Sequence, residues 1–143
     1  MLKDSEFKIV SGGWEDLAKH AKTIREAVFI EEQNIAAEEE WDEQDAISIH
    51  FVVYEKGHVI ATARLLANNS VGRVAVLKPH RGLKIGQQLM QAIIDYAKAD
   101  HRKDLKLSSQ VHAIGFYQAL GFKVQGEDYL DCGIPHIDMY LKL

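Results

Sequence analysis

The sequence predicts an α/β fold of the α+β kind: one mixed, mostly antiparallel sheet flanked by helices, in the order β-α-βββ-α-β-α-ββ. Three observations lead there. Two segments, 14–29 and 83–99, carry apolar residues at three- and four-residue steps. Three short β-branched runs follow one another between residues 47 and 77, separated only by tight turns. The strand at 71–77 is joined to the next one through a helix, and a right-handed crossover of that kind makes the two strands parallel.

Taken in order, Phe7 to Val10 reads as a strand, ended by Ser11-Gly12-Gly13. Trp14, Leu17, Ala18, Ala21, Ile24, Val28 and Phe29 then mark one face of a helix that stops near Glu31 to Asn34. Residues 35–46 read as a loop or short helix with a solvated acidic face. Ile47 to Tyr54 and His58 to Leu66 form a hairpin around Lys56-Gly57. Val71 to Leu77 follows the Asn68-Asn69-Ser70 turn. Its alternation is poor, as for a strand covered on both faces. Ile85, Leu89, Met90, Ile93, Ile94 and Ala97 define the next helix, and Leu105 to Ser109 the next strand. A short helix from His112 to Leu120 stops at Gly121, and strands at 122–130 and 134–143 flank Cys132-Gly133. No repeat or linker interrupts the chain, so 1–143 is read as a single domain.

Composition narrows the function. Apolar residues are 47% and charged residues 27%, the balance of a globular domain rather than a disordered chain. The net charge of −4 gives no electrostatic footprint for nucleic acid, and no polybasic stretch or apolar run marks a membrane. One cysteine cannot close an internal disulfide, and no Cys/His cluster has metal-ligand spacing. The opening MLKDSEFKIV lacks a signal-peptide run. The expectation is a cytoplasmic protein without metal, nucleic acid or membrane.

The informative stretch is VGRVAVLKPHRGLKIGQQLM, Val71 to Met90. A strand enters a turn holding Arg81, Gly82 and Gly86, and the turn opens directly into a helix. Free backbone N–H groups and the positive end of the macrodipole face outward there, and glycine lets an anion come close. Such a turn suits a phosphate or pyrophosphate. Arg81 and Lys84 add positive charge. Neither GxxxxGK[ST] nor a GxGxxG following a first strand is present.

Arg81-Gly82-Leu83-Lys84-Ile85-Gly86, after Val74-Ala75-Val76, resembles motif A of the GNAT (Gcn5-related N-acetyltransferase) superfamily, R/Q-x-x-G-x-G/A. Phe116-Tyr117-Gln118-Ala119-Leu120-Gly121-Phe122 resembles its motif B, FYxxxGF. The motifs lie in the family's order and spacing, and the β/α order matches over nearly the whole chain. Lys84 stands where motif A has its first glycine. That variant resembles the ElaA-like subgroup, as do Arg25, Val28-Phe29, Glu32-Gln33, Asp42, Asp45, His50 and Gly133-Ile134-Pro135-His136.

The resemblance implies direct transfer of acetyl from acetyl-CoA to an amine acceptor, without an acyl-enzyme and without a metal. It implies pantetheine pairing along Val74, Ala75 and Val76. It places the pyrophosphate on Arg81, Gly82, Leu83, Lys84, Ile85, Gly86 and Gln87, with Gln110 and Phe116 also contacting the coenzyme. It makes Tyr117 the acid that meets the departing sulfur; FYQALGF is also good packing. A homodimer is a further family-level expectation.

An alkyl amine, with a pKa near that of Lys at about 10.4, arrives protonated, so a base must act. His50, on a central strand expected to point into the cleft, and Glu32, at the end of the first helix, are the candidates. His112 and His136 read as structural imidazoles, with His136 able to line the acceptor pocket. Glu31 to Asp45 holds eight carboxylates and no basic residue. Its ordinary meaning is a solvated face; rimming the cleft, it would favour a polyamine-like or lysine-like amine. Cys132 reads as an incidental turn residue. Two other functions stay open: a non-catalytic acyl-CoA sensor, and a glucosamine-phosphate-type acetyltransferase, which would need a basic pocket.

Overall fold

A computed structural model of the chain describes residues 7–143. Residues 1–6, part of the stretch read as lacking a signal peptide, lie outside the described residues.

The strands β1 (Phe7–Gly12), β2 (Ile49–Glu55), β3 (His58–Leu65), β4 (Ser70–Val76), β5 (Asp104–Gln110), β6 (Lys123–Asp131) and β7 (Ile134–Lys142) form one sheet in the order β1-β2-β3-β4-β5-β7-β6. All neighbours are antiparallel except β4 and β5. The helices are α1 (Trp14–Arg25), α2 (Ala37–Glu40), α3 (Ile85–Ala99) and α4 (Ile114–Ala119). Among the described residues no helix is long and apolar enough to cross a membrane.

The two amphipathic helices cover opposite faces. Ile85, Leu89, Met90, Ile93, Ile94 and Ala97 of α3 are buried against Phe51, Val53, Ala61, Ala63 and Leu65. Each large apolar side chain sealed this way stabilises the fold by about 1.5–3 kcal/mol. Beyond Arg25, α1 continues over Glu26–Glu32 in a wider turn: Gln33 N–H donates to Val28 O, five residues back, at 3.1 Å. Ile24, Val28 and Phe29 there pack on Ala75 of β4.

Two local departures position the site. β4 and β5 pair only at Ser70–Lys106 and Val71–Leu107, then separate. β4 also carries an extra residue opposite Ala63, with Arg73 in the left-handed region at φ 52°. The poor alternation of this strand reflects the bulge and an open flank. Both faces are covered as well: Val71 is buried in the cluster of α3, and Ala75 lies under Ile24, Val28 and Phe29.

The acidic segment 35–46 holds the expected short helix but not the expected solvated face. It forms α2 and, over Glu43–Ile47, a single 3₁₀ turn. Its face is not simply solvated, because Glu40 and Asp45 are 2% and 3% exposed. Arg25 Nε meets Glu40 Oε2 at 2.7 Å, and Arg25 Nη1 meets Asp45 Oδ1 at 2.6 Å. Arg64 Nη1 bridges Asp42 at 2.6 Å and Asp45 at 2.9 Å. Arg73 Nη2 reaches Asp42 at 3.3 Å. The Arg25 guanidinium lies between the rings of Trp14 (5.6 Å) and Trp41 (5.0 Å). Three arginines far apart in sequence thus neutralise three carboxylates of the acidic run.

Candidate functional site

Where β4 leaves β5, the backbone of Gly72 to Val76 loses its partner on that side. A free strand edge accepts an extended chain by main-chain hydrogen bonding. The edge opens onto a cavity of about 760 Å³, within the range of small-molecule sites.

One end of the cavity is the turn into α3. Gly82 takes φ 81° and Lys84 φ 64°, both left-handed. Lys84 therefore adopts the backbone shape that motif glycine supplies, at a steric cost of about 1–2 kcal/mol for a side chain bearing Cβ. The helix then starts cleanly: its first hydrogen bond is Gln88 N–H to Lys84 O at 3.1 Å. The amides of Ile85, Gly86 and Gln87 are left without an intrahelical acceptor. Gly86 is needed for closeness rather than for φ. A Cβ there would lie 3.3 Å from the Phe116 ring and 3.8 Å from Val76 Cγ2.

Arg81 is already engaged. Its Nη1 and Nη2 donate to both oxygens of Glu32 at 2.6 and 2.8 Å, and its Nε donates to Val76 O at 2.9 Å. The fork of hydrogen bonds from Arg81 holds the Glu32 carboxyl below its usual range. That pairing makes Glu32 a weak proton acceptor, and it reduces the positive charge that the sequence places at the turn.

Tyr117, on α4, meets Phe116 and Phe122 edge-on at 5.0 and 5.9 Å. Burial pushes its phenol up to about 12. The hydroxyl is therefore a permanent donor near neutral pH. Gln110, at the end of β5, donates to Gln33 Oε1 at 3.0 Å and accepts from His112 at 2.7 Å, tying the end of α1 to the start of α4. The far end of the cavity is the β6–β7 hairpin, with Asp131, Cys132 and His136, facing Glu39 of α2. The Cys132 thiol donates to Glu39 Oε2 at 2.7 Å, and that hydrogen bond, with burial, raises it to about 11. A thiol so held is no nucleophile.

The cavity brings together Glu32, Val74, Ala75, Val76, Arg81, Gly82, Lys84, Ile85, Gly86, Gln87, Gln110, Phe116 and Tyr117. Two residues singled out in the sequence lie elsewhere. Leu83 is 43% exposed and does not line it. His50 is 1% exposed and also off the cavity, contrary to the expectation that its strand would aim it at the cleft. It is the cross-strand partner of Arg64, on the face that α1 covers, with the Trp14 ring 4.7 Å away. Its Nε2–H donates to Asp45 O at 2.8 Å. Burial holds its pKa below the ordinary histidine value. Sequence reading missed the bulge at Arg73 and the Glu32–Arg81 fork; neither carries a local signal.

An open strand edge leading to the N-terminus of a helix is suited to a long ligand that ends in phosphates. The family profile described as an acetyltransferase (GNAT) domain matches residues 17–143. The chain belongs to the GNAT acetyltransferase family. Over 129 residues it is 37% identical to the uncharacterized N-acetyltransferase YjcF of Bacillus subtilis, covering 87% of this chain and 92% of that one. It is 34% identical to protein ElaA of Escherichia coli over 126 residues, 81% of each chain. The crystal structure of that ElaA superposes with a TM-score of 0.84 at 28% identity, covering 94% of this chain and 99% of the other. An acyl-CoA N-acyltransferase from Pseudomonas aeruginosa gives 0.85 at 28% identity, with the same coverage. This GNAT chain is an acyltransferase on a single GNAT-like α/β domain.

Proposed function

We propose that this GNAT protein moves an acetyl group from acetyl-CoA directly to a primary amine. The observation that carries the reading is the unpaired edge of β4 from Gly72 to Val76, which runs along the cavity to the free amides of Ile85, Gly86 and Gln87. The pantetheine arm fits the edge as an added strand, and the diphosphate fits the helix terminus. The closeness of Gly86 to Phe116 and Val76 supports this, since a side chain there would narrow the passage.

In the transfer, the amine nitrogen forms a bond to the thioester carbon, the C–S bond breaks, and the nitrogen loses a proton. Tyr117 donates its hydroxyl hydrogen bond to the sulfur as charge gathers there. With a phenol near 12 and thiols near about 8.5, its contribution is stabilisation of the leaving thiolate more than full proton delivery. Glu39 and Asp131 at the hairpin end favour a cationic amine over a sugar phosphate.

Calorimetric titration with coenzyme A, together with free-thiol release from acetyl-CoA across a panel of amines, tests the reading. Binding with amine-dependent thiol release is expected. No affinity for coenzyme A in either form would remove it, and binding without turnover on any amine would leave a sensor. Tyr117→Phe should lower kcat about 10²–10³-fold, the loss typical of one missing donor to transition-state charge, with coenzyme affinity retained.

A further inference from the structure

The transfer proposed above needs a group that removes the amine's proton, and the two residues chosen from sequence are poorly placed for it. His50 is sealed under Trp14, and Glu32 is forked onto Arg81. We propose that Nε2 of His136 is the atom that takes the proton from the acceptor ammonium. The inference rests on the acetyltransferase reading and names the base within it.

The hydrogen bonding of this imidazole sets its tautomer. His136 Nδ1 lies 2.7 Å from Ile134 O. A carbonyl oxygen can only accept, so Nδ1 carries the hydrogen and Nε2 keeps the lone pair. The ring is stacked on Tyr129, with centroids 6.3 Å apart and planes at 23°. Tyr129 is itself held, its hydroxyl donating to Asp138 Oδ1 at 2.6 Å and touching Ser108 Oγ. The imidazole is thus gripped on one edge and one face.

Its placement completes the case. His136 is the cross-strand partner of Gln110, and paired residues share a sheet face. Both line the cavity. Gln110 is followed by the short turn that leads into α4 and Tyr117, and base and thiolate donor line the same cavity. Two other imidazoles line the cavity: His112 gives its Nε2–H to Gln110 and keeps its own lone pair on Nδ1, which makes it the control for the assignment, and His80 sits beside the phosphate turn, 3.3 Å from Glu55. In the proposed step the ammonium N–H bond breaks toward His136 Nε2. The neutral nitrogen then attacks the thioester carbon, the electron pair of the C–S bond leaves with sulfur, the second proton lost by the nitrogen passes to that thiolate to give the free thiol, and the imidazolium returns its own proton to solvent.

The test uses two acceptors that differ in their need for a base. At pH 7, 1,4-diaminobutane is protonated and hydroxylamine is neutral. With acetyl-CoA saturating, His136→Gln should lower kcat/KM for diaminobutane about 10²-fold or more, the usual scale of base catalysis. For hydroxylamine the loss should be at least tenfold smaller, and coenzyme A affinity should stay unchanged. Equal losses for both acceptors, no loss for diaminobutane, or the same acceptor-dependent loss in His112→Gln would overturn the assignment. Long-range ¹⁵N correlation spectra of the unaltered protein give a second check independent of the variant: Nδ1–H at His136 is expected, and Nε2–H would overturn it. If the unaltered protein binds no coenzyme A, or acetylates neither acceptor, the transferase reading fails first and the base falls with it.

Discussion

Two arginine–carboxylate clusters lie beside this cavity and do different work. Arg25, Glu40, Asp45 and Arg64 are sealed from solvent, while Arg81 and Glu32 are 38% and 39% exposed at the side chain. The distances are similar, 2.6–2.9 Å in the first and 2.6–2.8 Å in the second. What separates the two is the dielectric around them. A sealed pair cannot lose one member without stranding the other in a medium that does not solvate it. An exposed pair gives up little when it opens, because water and salt replace it. The first cluster therefore pins the acidic segment beneath α1, and the second can exchange its partner for a phosphate.

The contrast is open to direct attack. Asp45→Asn leaves Arg25 and Arg64 short of a partner and should cost about 3–5 kcal/mol, a fall in Tm of about 10–20 °C. Thermal melts measure it, and a loss of only a few degrees would mean the cluster is better solvated than its burial indicates. The pH dependence of Tm comes next. Burial holds His50 below its ordinary value, so the folded state binds fewer protons there. Stability from this group is complete above about pH 6.5 and declines as pH falls below it. A second decline begins below about pH 4, where the unfolded chain takes up protons that folded Asp42, lowered to about 2 by Arg64, and Asp45, held down by Arg25 and Arg64 against its own burial, still refuse. Glu40, raised by burial, has the opposite sign: it adds stability as pH falls toward its ordinary value, above the range of that second decline. His50→Gln should flatten the slope between pH 7 and 5.5 and leave the lower limb; an unchanged slope would assign the upper limb to another group. The smallest effect belongs to the exposed pair. Glu32→Gln releases Arg81 and should tighten coenzyme A about 2–5-fold at low salt, the equivalent of an exposed ion pair, with the gain fading at high salt. Weaker binding would instead show that Glu32 orients Arg81 toward the ligand.

Much of the fold was legible because its signals are local. Ile85 to Ala97 repeat at helical spacing on one face, and Lys56-Gly57 marks its hairpin. The order of elements alone required a parallel pair after β4. The turn into α3 was legible for the same reason, since Gly82, Lys84 and Gly86 lie within five residues. The charged cluster was not: its arginines come from positions 25, 64 and 73, and nothing within 35–46 announces them. His50 was misplaced because the side of a strand that faces a ligand depends on where the helix lies, which strand alternation does not encode. His136 read as a structural imidazole able to line the acceptor pocket, not as the base. What distinguishes it, a backbone acceptor on one nitrogen together with a place on the cavity wall, exists only once the hairpin has closed.

The wider turn that ends α1 has a consequence for the first wall of the cavity. In an ordinary α-helix Gln33 would sit about 140° around the axis from Val28. Five-residue pairing instead stacks Gln33 above Val28, within reach of Gln110. The amide bridge between α1 and β5 is thus a matter of helical phase. A one-residue deletion between 26 and 32 would keep nearly every side chain and still unhook the two halves of the molecule at that seam.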